Sequence, residues 1–377
     1  MLKLLVGEVS IERTMWGLIR PDALAVLNDQ KVRKVLGRYL DIFQGGRTAK
    51  FLIAKKLVAD YEVDDPLEEL WSLHEALTRQ YYSLEKEIDG GIKVLKEMES
   101  PGKSYLNLKI DLAHRMLKSC RFCIRKCGVD RLNGELGWCK AGKQFHVSTI
   151  FEHMGEEPEL VPSGTVFTIS CNLRCLHCQN WTISQRYESG EVYTPKMMVD
   201  AIERLRGIGC RNVNMVGGEP TPWLHMWLET FNHVKSSIAT VWNSNSYYSE
   251  ETARLLAGFI DVYLLDFKYG NNTCAERISS APKYWETCIQ NHLYAKEYGE
   301  LIIRVLVLPE HNECCIRPIL EWIAKNLGVD IRVNLMGQYR PEWRAYEVPE
   351  LRRRLTRQEF NDAVKIARNV GLTNFIT

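Results

Sequence analysis

The sequence lacks a dominant charge: 49 lysines and arginines face 47 aspartates and glutamates, a formal net charge of +2. Such a balance creates no field for a polyanion, and nucleic-acid binding would need a local basic patch. The densest basic run, "LRRRLTRQ" (351–358), precedes a helix start and reads as a solvated approach to it, so no nucleic-acid partner is expected. No run of eighteen apolar residues occurs, and no membrane span is expected. The opening "MLKLLVGEVSIERTM" breaks its apolar stretch at Gly7-Glu8, short of a signal-peptide core. The last lack is local. "CNLRCLHCQN" (171–180) puts three cysteines into eight positions and offers no fourth, although a closed zinc site or a fully ligated cubane takes four.

Cysteine itself is plentiful. Of twelve, seven fall in two tight groups: Cys120, Cys123, Cys127 and Cys139, then Cys171, Cys175 and Cys178. Disulfide scaffolds serve chains too short to bury a core, whereas 377 residues at 45% hydrophobic and 25% charged suit one large globular domain with additions. The expectation is a reducing, cytoplasmic compartment in which clustered thiols hold metal. Cys210, Cys274, Cys288, Cys314 and Cys315 share no spacing and read as small apolar core residues, with adjacent Cys314-Cys315 the one pair open to a redox question.

The first hundred or so residues carry helical periodicity. One helix is expected over 31–43 and stops at Gly45-Gly46. A second carries Leu67, Leu70, Trp71, Leu77, Tyr81, Leu84 and Ile88 on one stripe, with Asp65 as N-cap, Pro66 in the first turn, Glu68 in a capping box and Gly90-Gly91 at its end. These stripes are expected to be internal core, with a partner-docking face as the alternative. From about 161 the texture changes to "TVFTIS", "NVNMV", "IATVWN", "DVYLLDF", "LIIRVLV" and "DIRVNLM", six buried-strand patterns. Helices start between them at Thr194-Pro195, Thr221-Pro222 and Ser249, and a last helix over 355–371 is capped by Thr356 and Glu359. The expected fold is α/β: an open, partial (β/α)6 barrel over 161–340, preceded by a helical extension (1–105) and a Cys-rich segment (106–160), and followed by a C-terminal helix (341–377).

In such folds the site lies at the carboxyl ends of the strands. Cys171, Cys175 and Cys178 occupy the first of those loops, and an incompletely ligated metal there could bind a cofactor or substrate directly. The next loops bring Gly217, Gly218 and Glu219 in "VGGEP", then Ser244 and Asn245 in "NSNS", then Asp266 and Lys268 in "LLDFK". Arg304 within the fifth strand is costly to bury without an anion.

Cys171-x3-Cys175-x2-Cys178 after the first strand of a partial barrel resembles the signature of the radical S-adenosylmethionine (SAM) superfamily. The resemblance implies a 4Fe-4S cluster on these three cysteines, with its open iron chelating SAM. Reduction then cleaves SAM to methionine and a 5′-deoxyadenosyl radical that abstracts hydrogen from a substrate. It further implies that Gly217, Gly218 and Glu219 form the motif at the SAM amino group. Asp266 and Lys268 would lie by the SAM carboxylate and the substrate, as in glycyl-radical-activating enzymes, with an ordinary surface ion pair as the plainer reading. His177 takes the slot of an aromatic beside the adenine, with a solvent-facing histidine as the alternative. Ser244 and Asn245 would complete the SAM pocket, with Arg304 as a contact to SAM or to the substrate.

"CNLRCLHCQN", "GGEP", "LLDFKY", "RVLVLP", "NLMGQY" and the upstream "GEEPELVPSGTVFTIS" further resemble the pyruvate formate-lyase activating enzyme-like branch, near the AmmeMemoRadiSam-type proteins, over roughly 115–340. That branch also carries a run like Cys120, Cys123, Cys127 and Cys139, which implies an auxiliary 4Fe-4S cluster, with zinc as the alternative. Spacing alone does not choose between them, since only one CxxC knuckle is present. The eight-cysteine ferredoxin insert of many glycyl-radical activases is missing, which places the chain outside that subgroup. The resulting expectation is a radical SAM oxidoreductase fed by ferredoxin or flavodoxin. Its substrate would be a protein docked on the N-terminal helices, or else a peptide or small molecule. A non-catalytic iron–sulfur electron carrier is the alternative of another class.

Overall fold

The computed structural model describes residues 17–188 and 190–377; the broken apolar stretch of residues 1–15 lies outside them. Among the described residues nine strands form one sheet: β1 (Phe145–His153), β2 (Ser163–Thr168), β3 (Glu191–Tyr193), β4 (Asn212–Gly217), β5 (Ala239–Ser244), β6 (Val262–Asp266), β7 (Glu300–Leu306), β8 (Arg332–Met336) and β9 (Phe375–Ile376). Their order is β3-β1-β2-β4-β5-β6-β7-β8-β9. Neighbours from β2 through β9 run parallel, joined by crossovers that put helices outside, and the two ends of the sheet do not pair. This is a parallel, unclosed α/β sheet, consistent with a partial barrel. β2 and β4 to β8 are the six expected strands, each shifted by a residue or two. The edges were not expected: β1 pairs antiparallel with β2, β3 with β1, and β9 extends β8.

The crossover helices begin where short polar side chains can satisfy their first N–H groups. Thr194 accepts from Met197, Ser249 from Thr252, and Thr356 and Glu359 form a reciprocal capping box. Thr221 differs. It opens a short 3-10 turn, and its hydroxyl donates to Glu219 instead of capping, so the helix starts at Leu224.

In the helical extension, Asp29 caps Gln30–Gln44 through the N–H groups of Lys31 and Val32, and Gly45 closes it at φ 82. The long helix is Leu67–Asp89, and Asp65 is not its cap. The Asp65 carboxylate turns back to the N–H of Glu62 (2.8 Å), and the N-cap position falls to Pro66, which has no side-chain acceptor. Leu70, Leu77, Tyr81 and Leu84 are buried in the main core, so this stripe is packing surface. Burying each such side chain contributes about 1.5–3 kcal/mol.

The extension covers the amino-terminal end of the sheet. The N–H groups of Arg38 and Tyr39 donate to the Glu300 carboxylate at the head of β7 (2.8 and 2.7 Å). The Arg38 guanidinium reaches Asp261 just ahead of β6 (3.0 Å), and Asn212 at the head of β4 donates to the Tyr39 hydroxyl (2.9 Å). The carboxyl ends of the strands remain for the site.

Candidate active site

At those carboxyl ends the loops converge on a cavity of about 250 Å³. Cys171, Cys175 and Cys178 line it, and so do His177, Gly217, Gly218, Glu219, Ser244, Asn245, Asp266, Lys268 and Arg304. Every residue that the sequence nominated for the three-cysteine site is therefore on one wall or another of a single chamber.

The glycines serve the wall itself. Gly217 has φ 118, and a Cβ there would sit 2.1 Å from the backbone nitrogen of Thr168; at Gly218 it would sit 2.1 Å from the Ser170 carbonyl. The close approach they permit is to the chain's own β2 and cysteine loop, more than to a ligand. Glu219 then braces two loops, its own after β4 and the one after β5. Its Oε1 accepts from the Thr221 hydroxyl (2.5 Å) and the Ser244 hydroxyl (2.7 Å), and its Oε2 from the Asn245 N–H (2.9 Å). Burial raises its pKa, and these donors pull against the shift.

The thiols are held apart. Cys171 Sγ lies 3.4 Å from the Leu173 nitrogen and 3.6 Å from the Asn245 amide, and Cys178 Sγ lies 3.2 Å from the Ser184 hydroxyl. Among the described residues these three do not gather within 4.8 Å of one another, as ligands of one ion would. Burial pushes Cys171 far up and Cys175 up to about 11, so their thiolates call for a cationic partner in the cavity.

Lys268 Nζ pairs with Asp266 (2.7 Å). Burial lowers its pKa, but Asp266 and Cys175 more than offset that, and the ammonium stays charged. His177 is buried, with its Nε2 3.2 Å from the Tyr269 hydroxyl and its ring edge-on to Tyr339, which excludes the solvent-facing reading. Burial and then Lys268 hold its pKa near 3, so it is a neutral ring. Arg304 finds its anions within the chain: Glu157 accepts two bonds at 2.6 Å and Glu156 a third. It also donates to the Asn243 side-chain oxygen Oδ1 (3.3 Å), while the buried Asn243 Nδ2 has no partner among the described residues.

Residues 165–323 match the radical SAM superfamily. The chain belongs to that superfamily. It is 41% identical over 343 residues, 89% of its length and 98% of the other's, to the uncharacterized protein MJ0674 of Methanocaldococcus jannaschii. A second protein of that organism, the uncharacterized MJ0808, is 24% identical over 61% of this chain and 73% of its own. Among solved structures, Streptococcus suis SuiB bound to S-adenosylmethionine aligns with 55% of this chain and 48% of its own, at 18% identity and a TM-score of 0.41. The chain thus spans about half of SuiB.

The donor set of this radical SAM protein suits the cofactors its superfamily implies: three separated soft thiols, an unpartnered buried amide N–H group on Asn243, and a charged Lys268 in one chamber. The residues missed in the sequence are Glu156 and Glu157, which hold Arg304, and Asn243, Met336, Gln338 and Tyr339 in the walls. The acidic pair in "GEEPEL" just ahead of a strand was the available signal for a buried arginine.

The second cysteine group lies beside the first. Cys120, Cys123, Cys127 and Cys139 line a small pocket closed by Thr221 and Pro222, and Thr221 is the residue that bonds Glu219. Arg125 donates to the Asn172 carbonyl (2.7 Å) and stacks 3.8 Å over Trp138, tying this segment to the cysteine loop. The Cys127 thiol is drawn down to about 5, first by the hydrogen bond from Cys120, which is raised in turn. No three of these four thiols lie within 4.8 Å of one another, among the described residues. Cys210 and Cys288 are fully buried, as expected of core cysteines. Cys314 is not; it is exposed and meets Cys315 and Cys274 at 3.8 and 3.9 Å.

Proposed function

We propose that the chain is a radical SAM oxidoreductase that cleaves SAM reductively and abstracts hydrogen from a peptide or small molecule entering at the cavity mouth. The observation that carries this reading is the convergence of Cys171, Cys175, Cys178 and every nominated SAM residue on one chamber at the carboxyl ends of the strands. When bound, a 4Fe-4S cluster would supply the electron for reductive cleavage of SAM. Cys171, Cys175 and Cys178 would hold the cluster. Glu219, through Ser244 and Asn245, fixes the loops that would seat the methionyl end of SAM. Lys268 and the free Asn243 amide offer cationic and hydrogen-bonding contacts to its carboxylate, and neutral His177 with Tyr339 offers an apolar wall to its adenine.

Cys120, Cys123, Cys127 and Cys139, four thiols lining one pocket beside the SAM chamber, would hold an auxiliary iron–sulfur cluster, with zinc as the alternative. The cluster would relay electrons from ferredoxin or flavodoxin. A glycyl-radical-activating role has less support. The N-terminal helices, the nominated dock for a protein substrate, sit against the amino ends of β6 and β7, on the side away from the cavity.

The test is anaerobic reduction of the reconstituted chain with SAM. The wild type is expected to release 5′-deoxyadenosine and Cys175→Ala to fall to background. A wild type that is reversibly reduced without releasing it would be an electron carrier instead, and the reading would fail.

A further inference from the structure

Cys274 opens the helix Asn272–Ser279 after β6, while Cys314 and Cys315 lie forty residues on, in a π-helical turn (Asn312–Ile316) after β7. The fold brings all three sulfurs within 4.8 Å of one another. The measured separations are 3.9 Å for Cys274–Cys314 and 3.8 Å for Cys314–Cys315. Those lengths carry information. A disulfide needs about 2.05 Å, whereas thiolates bound at about 2.3 Å around one tetrahedral ion stand about 3.8 Å apart. In neither of the other cysteine groups are three thiols this close, so this triad has a single-ion geometry that those lack.

The surroundings are built for the approach. Gly270 lets the two loops touch: a Cβ there would sit 2.6 Å from the Cys315 carbonyl oxygen and 2.7 Å from its Cα. Asn271 donates to the Cys314 carbonyl (2.8 Å), and its side chain also accepts the Cys274 N–H (2.8 Å). The single π turn, a conformation concentrated at functional sites, presents two consecutive cysteines toward the same point. Arg277, one turn beyond Cys274, is paired first with Glu350, and the charges of Cys274 and Cys314 act on it more weakly. Cys274 and Cys315 are buried and Cys314 is exposed, leaving one side open to solvent.

We propose that Cys274, Cys314 and Cys315 form a mononuclear three-thiolate site for zinc, separate from both iron–sulfur groups, with the fourth position open toward solvent. Three thiolates and a divalent d10 ion give a stable soft-ligand set without redox chemistry of their own. The consequence for the radical site is mechanical. The far end of the same helix is tied to the cluster loop: the carbonyls of Ile278 and Ser279 accept the N–H groups of Leu176 and Arg174 (both 2.9 Å). An ion pinning the start of this helix to the β7 loop would therefore hold the Cys171–Cys178 loop in register.

The proposal does not depend on SAM cleavage, and its test does not read activity. The full-length chain, purified anaerobically with its iron sites reconstituted, is assayed for zinc and iron by mass spectrometry. The wild type is expected to carry one zinc per chain that the Cys274→Ser/Cys314→Ser variant loses, with iron per chain unchanged. Should that variant misfold, the wild type alone suffices. Iodoacetamide is expected to spare exposed Cys314 until a zinc chelator is added, then to label it. Labelling at the same rate with and without chelator, a zinc content unaltered in a folded variant, or a Cys274–Cys314 disulfide in the anaerobic chain would each overturn the proposal.

Discussion

Glu219 shows how one side chain can hold a site together without touching the reacting atoms. It is a buried carboxylate with no cationic partner at bonding distance among the described residues, kept in place by hydroxyl and N–H donors from Thr221, Ser244 and Asn245. Replacing it with glutamine puts an NH2 group against donors, which leaves at least one buried donor unsatisfied at a cost of about 1–3 kcal/mol. Glu219→Gln is thus expected to lower the thermal midpoint and weaken SAM binding while leaving iron content intact, as calorimetry, SAM titration and iron assay would show. Lys268 works differently, as the one lysine among the described residues that line the chamber. Lys268→Met should weaken SAM binding roughly tenfold or more, in line with a lost charge-assisted contact of about 1.5–3 kcal/mol. An unchanged SAM affinity would mean that Lys268 serves Asp266 alone.

At the scale of elements, legibility in the sequence followed the range of the interaction. Local rules were readable: the capping box at Thr356 and Glu359, the Ser249 and Thr194 caps, and six runs of β-branched residues for six parallel strands. Thr356→Ala is expected to cost about 1 kcal/mol in urea denaturation and to leave SAM cleavage untouched, because that helix end lies on the surface. What was not readable depended on partners distant in the chain. Asp65 looks like a cap but finds a nearer N–H at Glu62, and Thr221 is taken from capping by Glu219. β3 is an edge strand and β1 lies between it and β2, both of mixed polarity, so these pairings left no clean alternation to read. The basic run 351–358 gave its composition but not its partners; Arg353 is paired with Glu310 and Glu359. The site divides the same way. Motifs on one loop were visible, whereas Glu156 and Glu157 on Arg304 cross about 150 residues, and the Cys274, Cys314 and Cys315 triad crosses 40.

For the whole molecule, the decisive arrangement is an unclosed parallel sheet with the proposed site at the carboxyl ends of its strands and an ion-paired closure at the other end. Arg38 is central to that closure, meeting Asp261, Asp89 and Glu85. Removing it strands buried carboxylates, so Arg38→Ala should destabilise the chain by about 3–5 kcal/mol. Glu300 gives the closure a pH dependence whose sign can be fixed. Burial raises its pKa to about 7, against the pull of the Tyr39 and Arg38 N–H groups and the Arg38 charge. A carboxyl group raised on folding is protonated more readily in the folded chain. Its contribution is therefore fully present below its ordinary value of 4.5 and is lost as pH rises through about 7. A shift of that size corresponds to about 3 kcal/mol between those limits. Glu300→Gln cannot ionise, so the stability difference between wild type and variant should move against the wild type as pH goes from 5 to 8. Unfolding midpoints measured across that range decide it: a constant difference would show that Glu300 stays ionised beneath Arg38 throughout.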